Sequence, residues 1–144
     1  MSRREQLLRV IERDVGEDFQ AYTRLAELMA RLHGLLLVRD CVQIDISNQQ
    51  ITALLDAAVV RVQRRKKVME AFRLPVDERA MEKLFGLFEP TRRSPLLCAW
   101  FSLRAQVERC RALNERNGKL LSLQSEVLQQ VLDRAPEPIY QPSY

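Results

Sequence analysis

Glycine is scarce in this chain, with 4 in 144 residues, and aromatic residues make up only 6% of it. Few glycines mean few tight turns, so the secondary-structure elements must run long. No run rich in Val, Ile and Thr alternates with polar residues between turn signals, which argues against a β architecture. Histidine occurs once, at His33, which excludes His-based metal sites and catalytic sets built on several histidines. The cysteines, Cys41, Cys98 and Cys110, are odd in number and share no metal-ligand spacing. They are expected as buried free thiols in a reducing compartment. No segment nears the roughly 20 apolar residues of a membrane span. The opening Met1-Ser2-Arg3-Arg4-Glu5 is basic, but no apolar run of signal-peptide length follows it, so a cytoplasmic protein is expected. A glycine-rich phosphate loop, a Cys/His pair and a serine with a nearby base are all lacking. The chain therefore does not read as an enzyme and implies neither metal nor cofactor.

What remains is a pattern of long helices. Hydrophobic residues make up 47% of the chain and charged residues 29%, a balance suited to a soluble folded protein. The expected fold is all-α: an elongated antiparallel bundle or coiled coil of three long helices and one short one. Residues 1–135 are expected to form a single helical domain, and residues 136–144, with Pro136, Pro138 and Pro142, an extended tail.

The first helix is expected over 3–38, capped by Ser2, with a seam of Leu8, Ile11, Val15, Asp18, Tyr22, Leu25, Met29, Leu32 and Leu36. Gly16 is its weak point. Arg39-Asp40 reverses the chain, and Asp40 caps a second helix over about 41–73, with Ser47 as a rival start. Its heptad seam reads Cys41, Ile44, Asn48, Ile51, Leu55, Ala58, Val62, Arg65, Met69 and Phe72. Pro75 stops it. A short helix within 77–88, capped by Asp77, carries Met81, Leu84, Phe85 and Phe88 on one face. Pro90 to Pro95 reads as a turn, after which Ser94 caps the last helix and Pro95 takes its first position.

The last helix, Leu96 to Arg134, organises the rest. Leu96, Trp100, Leu103, Val107, Cys110, Asn114, Asn117, Leu121, Gln124, Leu128 and Val131 alternate steps of four and three, the heptad spacing. At ~1.5 Å per residue the helix would reach roughly 58 Å. Its upper seam is apolar. Its lower seam carries Asn114, Asn117 and Gln124, beside a second apolar row of Leu113, Leu120 and Val127. A polar group in a dry seam costs about 1–3 kcal/mol unless it finds a partner. The lower half is therefore expected to lack a permanent intramolecular partner and to serve as a docking surface.

The densest basic run is Arg61, Arg64, Arg65, Lys66 and Lys67, in a chain of net charge +4 and pI about 9.2. It can be read as a phosphate-tracking surface or as a solvated helix face near a C-terminus, which suits the helix dipole. No aromatic residues interleave with it, and the solvated face is favoured. A structural coiled-coil oligomer, its amides setting register, is the other alternative.

Asn114-x-x-Asn117-Gly118-x-Leu120-Leu121, late in a long helix and after a lone Trp100, resembles the FlgN family. The ending Glu137-Pro138-Ile139-Tyr140 is similar to that family's tail, although no glycine follows the tyrosine here. More loosely, Asp40 between two heptad helices and Arg64-Arg65 at the basic end of the second also fit. The resemblance implies a cytoplasmic flagellar type III export chaperone. Its partners would be the C-terminal amphipathic segments of hook-associated proteins and the cytoplasmic domain of the export gate. It implies no nucleic acid, no stable membrane insertion and at most a weak homodimer. Leu113, Asn114, Asn117, Gly118, Leu120, Leu121, Gln124, Val127 and Leu128 would bind cargo, and Tyr140 would dock at the gate.

Overall fold

The computed structural model describes residues 1–134. The expectations placed on the tail, Tyr140 among them, lie outside the described residues, as does the side chain of Leu128. Four helices follow one another in the described residues: α1 (Arg3–Val38), α2 (Cys41–Ala71), α3 (Ala80–Phe85) and α4 (Pro90–Arg134). They form an all-α bundle of long helices packed against each other.

The caps account for most boundaries. Ser2 accepts a hydrogen bond from the Glu5 amide and Asp40 one from the Gln43 amide, each at 3.2 Å, so both act as the sequence suggests. Arg39 closes α1 in the left-handed region (φ 55°), with its own amide bonded to Leu36 O and that of Asp40 to Leu35 O. Those two bonds satisfy carbonyls that the helix end would otherwise orphan. Neither Gly16 nor the Asn117-Gly118 pair interrupts its helix, and α2 starts at Cys41, not at Ser47.

Three boundaries differ from expectation. Helix α2 ends at Ala71, two residues early, because Arg73 adopts φ 55° and the Leu74 amide reaches back to Met69 O at 2.9 Å. Helix α3 begins at Ala80, since Asp77 accepts from the Arg79 amide in a turn before the helix instead of capping it. Helix α4 begins at Pro90, not after Ser94. Proline is tolerated at a first helical position, and Pro90 takes that place itself. Pro95 then lies inside the helix, where the one bond it removes would end on Thr91, an exposed residue whose carbonyl can meet water.

Helix α1 is the spine, because α2 and α4 both pack against it. Polar contacts give the directions. Tyr22 meets Cys110, Met29 meets Asn117 and Leu36 meets Gln124, each pair 88 residues apart, so α4 runs parallel to α1 in heptad register. Asp18 meets Arg61 while Asp14 meets Arg64, so α2 runs antiparallel.

The core has two parts. The upper one joins Leu8, Ile11 and Val15 of α1 to Val68 and Met69 of α2, all the buried side chains of α3, and Leu96 and Leu103 of α4. The lower one is smaller: Leu25, Ala26, Leu28 and Met29 against Ile51 and Cys110. Tyr22 packs against both. The α1 seam lies inward as expected, and Ile51, Ala58 and Met69 of the expected α2 seam are buried, but the other rows of that seam are displaced by one residue. Ser47, Arg61 and Val68 are buried, whereas Asn48, Leu55 and Val62 are exposed. Ion pairs from Arg61 and Arg64 to α1 rotate α2 toward those residues.

Candidate functional site

The lower half of α4 does have an intramolecular partner, and this corrects the expectation that its amides lack one. Asn117 is buried. Its Nδ2 donates to Met29 O at 2.8 Å, and its Oδ1 lies 3.1 Å from His33 Nδ1. Gln124 Nε2 donates to Leu36 O at 2.8 Å. Leu36 lies in the last turn of α1, where its carbonyl accepts from the Arg39 cap amide at 3.3 Å and takes Gln124 as a second donor. One heptad above Asn117, the Cys110 thiol points at Tyr22 O, 3.3 Å away. Polar contacts thus repeat once per heptad down the α1–α4 seam, and they fix its register as well as its direction.

The expected site residues therefore separate by direction. Asn117 and Gln124 turn inward to α1, and Leu113 packs half-buried against the lower core. Leu120 is half-buried. Asn114, Gly118 and Leu121 are exposed, as is Val127. By the same 88-residue offset, α4 passes the end of α1 after Glu126, so Val127 and Val131 continue the inward rows with no α1 residue beside them. Among the described side chains, five large apolar ones are open between Leu121 and the end of the helix: Leu121 (51% exposed), Leu123, Val127 (53%), Val131 and Leu132. A shallow surface concavity follows the outer side of the same stretch, lined by Gly118, Lys119, Ser122 and Leu123 between Glu115 and Glu126.

Between the two core regions lies an ionic layer that the sequence reading missed. Arg61 Nε donates to Asp18 Oδ1 at 2.5 Å, and Arg65 reaches the other oxygen of the same carboxylate. Arg64 binds Asp14 through two bonds of 2.6 and 2.9 Å. Both aspartates are fully covered, and such charges are retained only when paired. The hydrogen bond to Asp14 raises the Arg64 pKa further. The Arg65 guanidinium also lies 5.8 Å from the Trp100 ring centroid, a cation–π contact that ties α2 to α4. Burial, and then the Asp18 charge, raise the Tyr22 pKa, and burial raises that of Cys110. The signal was present in the sequence. Asp14 and Asp18 are spaced four apart, as are Arg61 and Arg65, and Asp18 and Arg65 fall on facing seams. The run Arg61 to Lys67 is thus not simply a solvated face, since three of its five cations are engaged with α1.

Contrary to expectation, only Cys110 of the three cysteines is buried; Cys41 and Cys98 are exposed free thiols. Among the described residues no helix is long and apolar enough to cross a membrane.

The chain is thus an all-α helical bundle that closes one end with an aromatic core and leaves apolar rows uncovered at the other. The chain belongs to the FlgN family, whose model, described as FlgN protein, matches residues 1–135. That is a family of flagellar export chaperones. No curated protein and no solved structure matches the chain.

Proposed function

We propose that this chain acts in the cytoplasm on the C-terminal amphipathic segments of hook-associated proteins, covering them before export and delivering them to the cytoplasmic domain of the export gate. The observation that carries this reading is the open apolar surface from Leu121 to Leu132 on a helix whose upper half is well packed. An amphipathic helix exposes apolar area that would self-associate, and a complementary helix face removes it from water. Asn114, Gly118, Leu121 and Val127 supply contact, with Leu113, Leu120 and Leu128 along the edges. Asn117 and Gln124 support that face from behind by fixing α4 to α1. Tyr140, in the tail, serves the gate. The phosphate-tracking alternative is disfavoured because Arg61, Arg64 and Arg65 are held by Asp14 and Asp18.

Calorimetry with synthetic C-terminal segments tests this. Replacing Leu120 and Leu121 together by Ala is expected to cost ~2 kcal/mol, a loss of about thirty-fold in affinity. Tyr140→Ala is expected to bind the segment normally and to lose the gate domain. Failure of the unaltered chain to bind any such segment would refute the reading. Loss of the segment on Tyr140→Ala would place the tail in the cargo site instead.

A further inference from the structure

Two heptad rows of this fold are covered over only part of their length, and they belong to different helices. On α4 the row Trp100, Val107, Asn114, Leu121 lies on the α2 side, because Trp100 meets the Arg65 guanidinium. On α2 the row Met69, Val62, Leu55, Asn48 lies on the α4 side, since Met69 shares a core with Leu96 and Leu103. Both rows lose cover in the same direction. Trp100 and Val107 are half-buried, whereas Asn114 and Leu121 are exposed. Met69 is buried, whereas Val62 (37%), Leu55 (39%) and Asn48 are exposed. Helix α2 carries an apolar heptad that α1 does not take up, because the ion pairs turn Arg61 toward the spine instead. These two rows would line a furrow between α2 and α4, closed at the Trp100 end and open at the other.

The rims of this furrow are charged unequally. Lys66 on α2 and Arg104 on α4 flank the closed end at the level of Arg65 and Trp100. Both are exposed, and neither forms an ion pair among the described residues. Arg111 follows one heptad below Arg104 and is paired with Glu108 at 3.3 Å. Asp45, on the same α2 rim as Lys66, stands at the open end. A helix carries partial negative charge at its C-terminus and partial positive charge at its N-terminus. A chain-terminal carboxylate would add a full negative charge to the first of these.

We propose that the furrow seats one amphipathic helix, with its C-terminal end against Lys66 and Arg104 and its N-terminal end toward Asp45. The occupant would run parallel to α2 and antiparallel to α4 and complete a four-helix arrangement. This rests on the proposed function and adds to it: α2 forms half of the cargo site, and the cargo has a defined polarity. A second copy of this chain is disfavoured as the occupant, because the matching surface of a copy carries the same cations.

The test uses the full chain and a synthetic C-terminal segment of a hook-associated protein, in free-acid and amidated forms. Leu55→Glu is expected to weaken binding of the free acid by at least about ten-fold, as a charge in an apolar contact does. Val60→Glu, on the other flank of α2 and also exposed, is expected to leave binding unchanged. Circular dichroism should show full helix content for both. Amidation is expected to weaken binding several-fold to the unaltered chain. It should have no effect on a chain carrying Lys66→Gln and Arg104→Gln. If the unaltered chain binds no segment, the proposed function itself is at fault. If it binds, and Leu121→Glu abolishes binding while Leu55→Glu does not, the cargo function stands and the furrow is refuted. Equal loss from Val60→Glu would refute it too. An amidation effect that persists in the Lys66/Arg104 variant would overturn the polarity. A dimer of the free chain that Leu55→Glu dissociates would assign the furrow to a second copy and overturn the proposal.

Discussion

The two ends of α4 lie on the same spine and are held by different means. At the upper end Leu96, Trp100 and Leu103 share a core with α1, the last turns of α2, and Phe85 of α3 and Phe88 beyond it, with Phe85 edge-on to Trp100 at 6.2 Å. At the lower end the seam is held by amide bonds to α1 carbonyls, and the side toward α2 stays open. Apolar burial is non-directional and accumulates with area. An amide bond adds little net stability but selects one register. The upper end therefore supplies stability. The lower end supplies alignment, and it keeps apolar surface available for another chain.

Hydrogen exchange should show the largest difference between the ends. Amides of α4 near Leu103 to Cys110 should open only with the whole domain, whereas those near Val127 to Leu132 should open locally. Rates differing by a factor on the order of 10³ or more are expected. Uniform protection along α4 would erase the distinction between the ends.

The ionic layer between the ends gives the next largest effect. Asp18→Ala leaves Arg61 and Arg65 without their shared carboxylate in a covered site, where Arg61 Nη2 already lacks a partner. A loss of about 3–5 kcal/mol is expected from urea unfolding. A loss below 1 kcal/mol would mean that water reaches the arginines and that the layer does not hold α2 in place.

The two lower asparagines sharpen the comparison further. Asn117→Ala removes the bond to Met29 O and the contact with His33, and should cost about 1–3 kcal/mol. Asn114→Ala, three residues away but exposed, should stay within about 0.5 kcal/mol. Equal effects would contradict the inward and outward assignment.

The smallest effect is alkaline. Cys110 and Tyr22 hold their protons above their ordinary values of 9.0 and 10.0. The folded state therefore binds these protons more tightly than the unfolded one. Stability is complete below the unfolded values and falls as pH rises past about 9 toward the folded values. Cys110→Ala should remove the earlier part of that fall and leave the part due to Tyr22. Urea midpoints measured from pH 8 to 10.5 would show it.

Sequence alone determined what depends on neighbours along the chain. Heptad spacing marked the long helices, Ser2 and Asp40 marked two starts, and the α1 seam from Leu8 to Leu36 was legible because apolar periodicity reports the buried face of a strongly amphipathic helix. The start of α4 was misplaced, because two prolines five residues apart each suit a first helical position and local rules do not choose between them. Tertiary structure decided the rest. Helix α2 has two adjacent heptad rows of similar character, and only the pairing of Arg61 and Arg64 with Asp18 and Asp14 selects which one faces α1. Asn114 and Asn117 are chemically identical and three residues apart. Their opposite fates, one in solvent and one bonded to Met29 O, follow from where α1 lies, which no property local to either residue encodes.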